Sequence, residues 1–184
     1  GHHAENDRAM GFCFFSNAAI AALYARSKHG AKRVAVVDFD VHHGNGTQDI
    51  FWSDKDCFYG STHQMPLFPG TGELSETGVG NIFNAPLRSG DGGDQFREAF
   101  TDRILKPLHN FSPDFIVISA GFDAHRRDPL GGLQLVEADF MWATEKLAGV
   151  AQEHAKGRVV SMLEGGYDLD GLAKSVGVHV RTLM

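Results

Sequence analysis

Cysteine is scarce in this sequence: Cys13 and Cys57 are the only two among 184 residues. Two thiols cannot form the dense disulfide framework of small secreted domains. Reduced thiols in an intracellular, cytoplasmic protein are expected, with the nucleus as the alternative in a eukaryote. Long hydrophobic runs are also missing. The longest apolar stretches are strand-sized, so no membrane-spanning helix is expected. Positive charge is in deficit, with 17 Lys and Arg against 23 Asp and Glu and a formal charge of −6. That balance argues against general affinity for nucleic-acid phosphates, and no direct nucleic-acid contact is expected. Internal repeats, linkers and low-complexity tracts are absent. The composition that is left, 42% hydrophobic and 22% charged, is ordinary for a globular enzyme. A chain of 184 residues supplies one domain with a substantial core.

The most telling stretch is Val36-Val37-Asp38-Phe39-Asp40-Val41-His42-His43-Gly44-Asn45-Gly46-Thr47. A β-branched run stops at two acids in alternate positions, followed by a His pair and glycines. The run suits a central parallel strand buried on both faces. Ligands bind beyond the carboxyl ends of such strands. Alternation sends Asp38, Asp40 and His42 to one side. A second buried strand, 115–119, ends in Ala120-Gly121-Phe122-Asp123-Ala124-His125, so Asp123 stands to its strand as Asp40 does to the first. Acids at strand ends often only cap the next turn, but two such ends together point further. Two carboxylates and one imidazole, with positions left for water and substrate, describe a catalytic rather than a structural zinc site. A third strand, 158–163, ends in Glu164-Gly165-Gly166-Tyr167, and the sequence opens Gly1-His2-His3-Ala4. These add an acid/base pair of imidazoles and a phenol donor.

The rest of the chain alternates helix and strand. Helices are expected at 18–27 (capped by Ser16-Asn17 and stopped by Gly30), 45–52, 94–108, 136–155 and 170–183. Further strands are expected at 57–60 and at 81–85, the latter ending before Pro86, with 61–80 as a long loop rich in Gly, Pro and Thr. This order predicts an α/β fold: a three-layer α/β/α arrangement around a mainly parallel sheet.

The segments GHHAENDRAMGFCFF, VDFDVHHGNGTQDIF, FPGTGE, SAGFDAHRRDPLGG and LEGGYDL together resemble the zinc-dependent histone deacetylase family, which has the arginase/deacetylase fold. That family includes acetylpolyamine amidohydrolases and acetoin-utilisation proteins. The segments follow the family's order over nearly the whole chain. GHHAE, Asn45 and Leu130 are closer to the class II and bacterial branch.

The resemblance implies that Asp40, His42 and Asp123 hold zinc, with His2 and His3 beside it. His3 is the expected general base toward water and general acid toward the leaving amine, a role that suits an imidazole. Asp38 is expected to hold His2, Asn45 to hold His3, and His43 to stand close behind the site. Asn45 falls where many relatives carry Asp. An amide orients the ring without charging it, so the His3 pKa is expected to be lower than with an Asp partner. Tyr167 would donate to the carbonyl oxygen as it gains negative charge. Gly11, Phe12, Phe68 and Leu130 would wall a narrow apolar tunnel for an aliphatic stem. A monovalent cation, potassium by resemblance, would lie against the Asp38 carboxylate, the carbonyls of Asp40 and His42, and Ser61 and Thr62. Family members carry a segment ahead of Gly-His-His, so residues 1–184 are read as part of a catalytic domain lacking its N-terminal strands and rim loops.

The implied reaction removes an acetyl or other short acyl group from an acylated amine. Acetyl-lysine is one substrate class; an acetylpolyamine or another small acylated amine is the alternative. Two rivals differ in kind: a non-catalytic binding module on this fold, and an arginase-like ureohydrolase, which needs two manganese ions and more ligands than these motifs offer. Plainer readings cover the rest. Arg126-Arg127-Asp128 reads as a solvated turn, His125 as lining the outer side of the site, and His29, His63, His109, His154 and His179 as surface or satisfied polar residues.

Overall fold

Alternation along the first strand, β1 (Val34–Asp38), divides the interior in two. Val34 and Val36 face one side, where they pack with Ala18, Ala19 and Ala22 of helix α1 (Asn17–His29) and Phe51 of α2 (Asn45–Phe51). Ala35 and Val37 face the other side, packing with Phe96 of α3 (Gly93–Ala99), Leu108 of α4 (Lys106–Phe111), and Phe140 and Leu147 of α5 (Glu137–His154). Helix α6 (Leu169–Leu183) lies on that second side through Leu172 and Val176. Three layers result, as expected. This is a computed structural model that describes residues 1–184.

β1 pairs in parallel with both β2 (Cys57–Gln64) and β4 (Phe115–Ala120). With β3 (Ile82–Leu87) and β5 (Val159–Leu163) the order is β3-β2-β1-β4-β5, and every pairing is parallel. The sheet therefore has its central strand ending at the Asp38 motif. The chain leaves β1 toward β2 on one side and later returns to β4 on the other, the switch point at which open α/β sheets bind ligands.

Several boundaries differ from expectation, each for a physical reason. β2 runs on to Gln64, through residues read as the start of a loop; Ser61, Thr62 and His63 are polar but fully inside the sheet. β3 continues through Pro86. It is an edge strand paired only with β2, so the missing N–H can face away from the ladder. The helix expected at 94–108 is an α–π–α succession, with π geometry over Phe100–Leu105 between α3 and α4. Pro107 follows two residues later. It removes one i→i−4 bond and would crowd the Arg103 carbonyl, and a widened turn relieves both. Ser16 precedes α1 without a side-chain cap bond, its Oγ lying 3.4 Å from Thr47 Oγ1 instead. Gly30 ends α1 in the left-handed conformation, as expected.

α6 is tied down by His179, whose Nδ1 meets Thr144 Oγ1 and whose Nε2 meets Ser161 Oγ, each at 2.7 Å. One buried ring thus joins α5, α6 and β5. Burial pushes its pKa down to about 4. Val160 and Leu163 of β5 are exposed, since nothing pairs beyond that edge. No helix is long and apolar enough to cross a membrane.

Candidate metal centre and its surroundings

The strand ladder stops at Asp38, so the pleat does not carry Asp40 and His42 as alternation predicts. Two successive side-chain turns do so instead. Asp40 N–H donates to Asp38 Oδ1 at 3.1 Å, and His42 N–H donates to Asp40 Oδ1 at 2.9 Å. From the neighbouring strand, Asp123 reaches across β1 and accepts from Val41 N–H at 2.8 Å. His42 Nδ1 then stands 3.0 Å from Asp40 Oδ1 and 3.0 Å from Asp123 Oδ2.

This trio fits a divalent ion. Both carboxylates are essentially inaccessible, and with Asp38 they set three buried acids against the two imidazoles of His2 and His42. Ligand bonds of about 2.0–2.2 Å in tetrahedral array set donor atoms roughly 3.3 Å apart, close to the spacing seen. Burial, with Asp40 adding to it, pushes Asp123 up to about 7 against the pull of His42. Burial would lower His42, but Asp123 and Asp40 hold it up at about 10. Asp40, despite burial, is held well below the carboxylate range by His2 and His42. Two residues past β5, Gly165 stands where no side chain fits. Its N–H donates to Asp40 Oδ2 at 2.7 Å, and an added Cβ would lie 2.2 Å from Asp123 Oδ2.

His2 and His3 are neighbours with opposite surroundings. His2 Nδ1 bonds Asp38 Oδ2 at 2.8 Å, as expected, and its Nε2 lies 3.7 Å from Asp40. Burial alone would lower its pKa; Asp38 and Asp40 overcome that and raise it to about 10. His3 Nδ1 lies 2.8 Å from Asn45 Oδ1. Asn45 Nδ2 is committed to Glu5 Oε1 at 2.8 Å and His3 O at 3.2 Å, so its oxygen is left to accept from His3. That fixes the proton on Nδ1 and leaves Nε2 with a free lone pair. Burial, then the charge of His2, brings His3 down to about 4.

A cavity of about 720 Å³ opens over these groups, lined by His2, His3, Asp40, His42 and Tyr167 together with the expected Gly11, Phe12, Phe68 and Leu130. Phe68 sets its edge against His3, ring centres 5.0 Å apart. Phe12 is wholly exposed, at φ 62°, and Leu130 is half exposed, so both belong to the mouth. Gly11 has φ 55°, and a Cβ there would sit 2.5 Å from the His3 ring. Burial, with Asp123 and Asp40 nearby, pushes the Tyr167 phenol up to about 12, so it stays a proton donor.

Other expectations need correction. His43 does not touch the trio. It bonds Thr71 Oγ1 at 2.8 Å and Gln48 Oε1 at 3.0 Å, tying down the segment after β2. Ser61 stands beside Asp38 across the β1–β2 register, and its Oγ lies 2.9 Å from His63 Nδ1. His63 Nε2 donates to Gly72 O at 2.9 Å, so Ser61 donates its proton and keeps its lone pairs free. Thr62 points its hydroxyl to the opposite face, where it is buried without a partner. Its side chain therefore cannot share an ion with Asp38.

Three residues that hold the site escaped the sequence reading. Asp128, taken as part of a solvated turn, is buried, and its Oδ2 accepts from Tyr167 N–H at 2.7 Å and from Asp168 N–H at 3.3 Å. Glu164 accepts from His2 N–H at 3.1 Å and from Ser119 Oγ at 3.0 Å. Glu5 orients Asn45 as described. An acid adjoining each motif was the available signal; its target was not.

The chain is similar to known proteins in both sequence and fold. The histone deacetylase domain model matches residues 1–183. Histone deacetylase 10, chloroplastic, of Oryza sativa subsp. japonica is 47% identical over 188 residues, covering 100% of this chain and 42% of that protein. The histone deacetylase-like amidohydrolase of Pseudomonas aeruginosa is 44% identical over 172 residues, covering 91% of this chain and 45% of that protein. The crystal structure of the HDA15 HD domain superposes with a TM-score of 0.94 at 42% identity, over 100% of this chain and 52% of that one. The chain thus spans about half the length of the relatives it matches.

Proposed function

The chain belongs to the histone deacetylase family, and on that premise we propose that it carries the centre of a zinc-dependent amidohydrolase that removes acetyl or another short acyl group from an amine on a flexible stem. The observation that carries this reading is His42 Nδ1 held equally from two buried carboxylates, with the free Nε2 of His3 beside it. Zinc held by Asp40, His42 and Asp123 would polarise the amide carbonyl and make water more acidic.

The protein's own groups do the rest. His3, neutral near pH 7, takes a proton from the attacking water at Nε2. The water oxygen bonds to the carbonyl carbon, and Tyr167 donates to the oxygen that gains charge. His3 returns the proton to the leaving nitrogen as the C–N bond breaks, releasing amine and carboxylate. His2, kept cationic by Asp38, gives electrostatic support without joining the transfer. Potassium suits the oxygen-rich floor of Asp38, the Asp40 and His42 carbonyls and Ser61, with Thr62 limited to its carbonyl.

The apolar cavity suits an acetyl-lysine stem; an acetylpolyamine is the alternative, distinguished by the ammonium charge that remains on its stem. Free thiols at Cys13 and Cys57 suit a reducing, intracellular compartment. A binding module without turnover would not need the base, the phenol and the ligands together. The test is zinc content after exposure to excess metal and desalting, for the protein and for Asp123→Ala, with acetyl-lysine peptide and acetylpolyamine hydrolysis measured in parallel. One retained zinc and turnover, both lost in the variant, is the expected result. Zinc retained unchanged by Asp123→Ala would refute the ligand assignment.

A further inference from the structure

A second cluster of ligand-type side chains lies far from that centre. His109 is in the last turn of α4, and His154 is the final residue of α5. Each helix ends just before a strand begins, β4 and β5 respectively. All strands are parallel, so both histidines sit at the edge of the sheet opposite the catalytic loops. We infer that His109, Glu153 and His154 form an independent site for a divalent transition-metal ion that clamps α4 to α5.

The spacing supports this. His109 Nδ1 and His154 Nε2 are 3.2 Å apart. Glu153 Oε2 is 3.5 Å from the first nitrogen, and Oε1 is 3.4 Å from the second. Two donors on one tetrahedral ion at about 2.0–2.2 Å would be roughly 3.3 Å apart, close to the separation of the two nitrogens, and the carboxylate faces both of them, one oxygen to each. The rings meet edge to face at 71°, which turns one nitrogen of each toward the same point. Two imidazoles and one carboxylate select zinc, nickel, cobalt or copper rather than magnesium or calcium.

Location adds a second argument. The carboxyl ends of two helices converge here, each bearing a partial negative charge that favours a cation. The three side chains are partly exposed, so an ion reaches them without opening the fold. Three protein donors leave the remaining coordination to water. Binding should therefore be weaker and faster to exchange than in the buried trio.

The experiment is equilibrium dialysis of the protein against Zn2+ and, in parallel, Co2+, alongside the double variant His109→Ala/His154→Ala and the single variant Asp123→Ala. The expected result is two ions per chain in the unaltered protein: a tight one lost in Asp123→Ala and a weaker one lost in the double variant. Dialysed Co2+ should show tetrahedral visible absorption in Asp123→Ala that disappears when the two His changes are combined with it. Melting of Asp123→Ala should rise with added Zn2+, and the rise should vanish when the two His changes are combined with it. Circular dichroism checks folding, and His109→Gln/His154→Gln replaces the Ala pair if that pair unfolds. Metal uptake by the double variant equal to that of the unaltered protein would overturn the inference. So would a single bound ion at every Zn2+ concentration the protein tolerates.

Discussion

Two clusters of three ligand-type residues sit at opposite ends of one sheet, and they are built on opposite plans. The Asp40–His42–Asp123 trio has two buried acids and one part-buried imidazole, with the acids also held by backbone N–H groups from Val41, His42 and Gly165. The His109–Glu153–His154 cluster has two imidazoles and one acid, part exposed, and none of its ligand atoms is fixed by a backbone donor. The first is preorganised: backbone donors fix both acids in place. The second is held only by two helices meeting. Burial is what turns a set of ligands into a site with chemistry, because it forces the charge to be balanced and lets nearby groups be tuned. Rings as close as His2 and His3 differ in pKa, at about 10 and about 4: burial lowers both, but Asp38 and Asp40 lift His2 back up, whereas His3 faces the charge of His2 with only an amide as partner.

The largest test of this contrast removes one ligand from each end. Asp123→Ala should abolish hydrolysis and tight zinc binding, whereas His154→Ala should leave kcat and KM unchanged. Equal loss in both variants, in steady-state kinetics with zinc analysis, would erase the distinction. Next in size is Tyr167→Phe, which should lower kcat by about 10²–10³, the usual effect of losing one oxyanion donor, with zinc content intact. An unchanged kcat would remove the phenol from the reaction. A smaller effect is expected from Asp128→Asn, which weakens a charge-assisted bond to the Tyr167 backbone worth about 1.5–3 kcal/mol at most. It should lower kcat by roughly 10-fold, with KM and zinc content little changed.

The smallest effect sharpens the comparison of the two imidazoles. His3 works as a base when neutral, so activity is lost as pH falls through its pKa. Asn45→Asp supplies a negative charge and should raise that pKa from its low value of about 4, moving the acid limb of kcat/KM to higher pH. A profile with an unmoved acid limb would show that the amide does not set the base.

Much of this was legible in the chain because buried parallel strands write themselves plainly. β1 and β4 read as β-branched runs that stop at acids, and the pairing of His2 with Asp38 and His3 with Asn45 followed the family pattern. What failed was polar residues in apolar places. Ser61, Thr62 and His63 look like loop residues, yet they occupy the buried end of β2. Asp128 beside two arginines looks solvated, yet it turns inward to hold Tyr167. The π turn before Pro107 also leaves no periodic mark, since one extra residue in a turn shifts the apolar stripe only slightly. Period and composition report which side of an element is wet. They do not report which backbone N–H a carboxylate will find.

The bond from His2 N–H to Glu164 spans 162 positions of sequence. Loop-closure entropy makes so distant a pairing slow to form before the strands between are in place. The side-chain turns of Asp40 and His42 close over two residues and carry almost none of that cost, whereas the Glu164 tether carries the full cost of joining the two ends of the chain. A chain halted before β5 would contain Asp40, His42 and Asp123 but would lack the tether for the histidine pair.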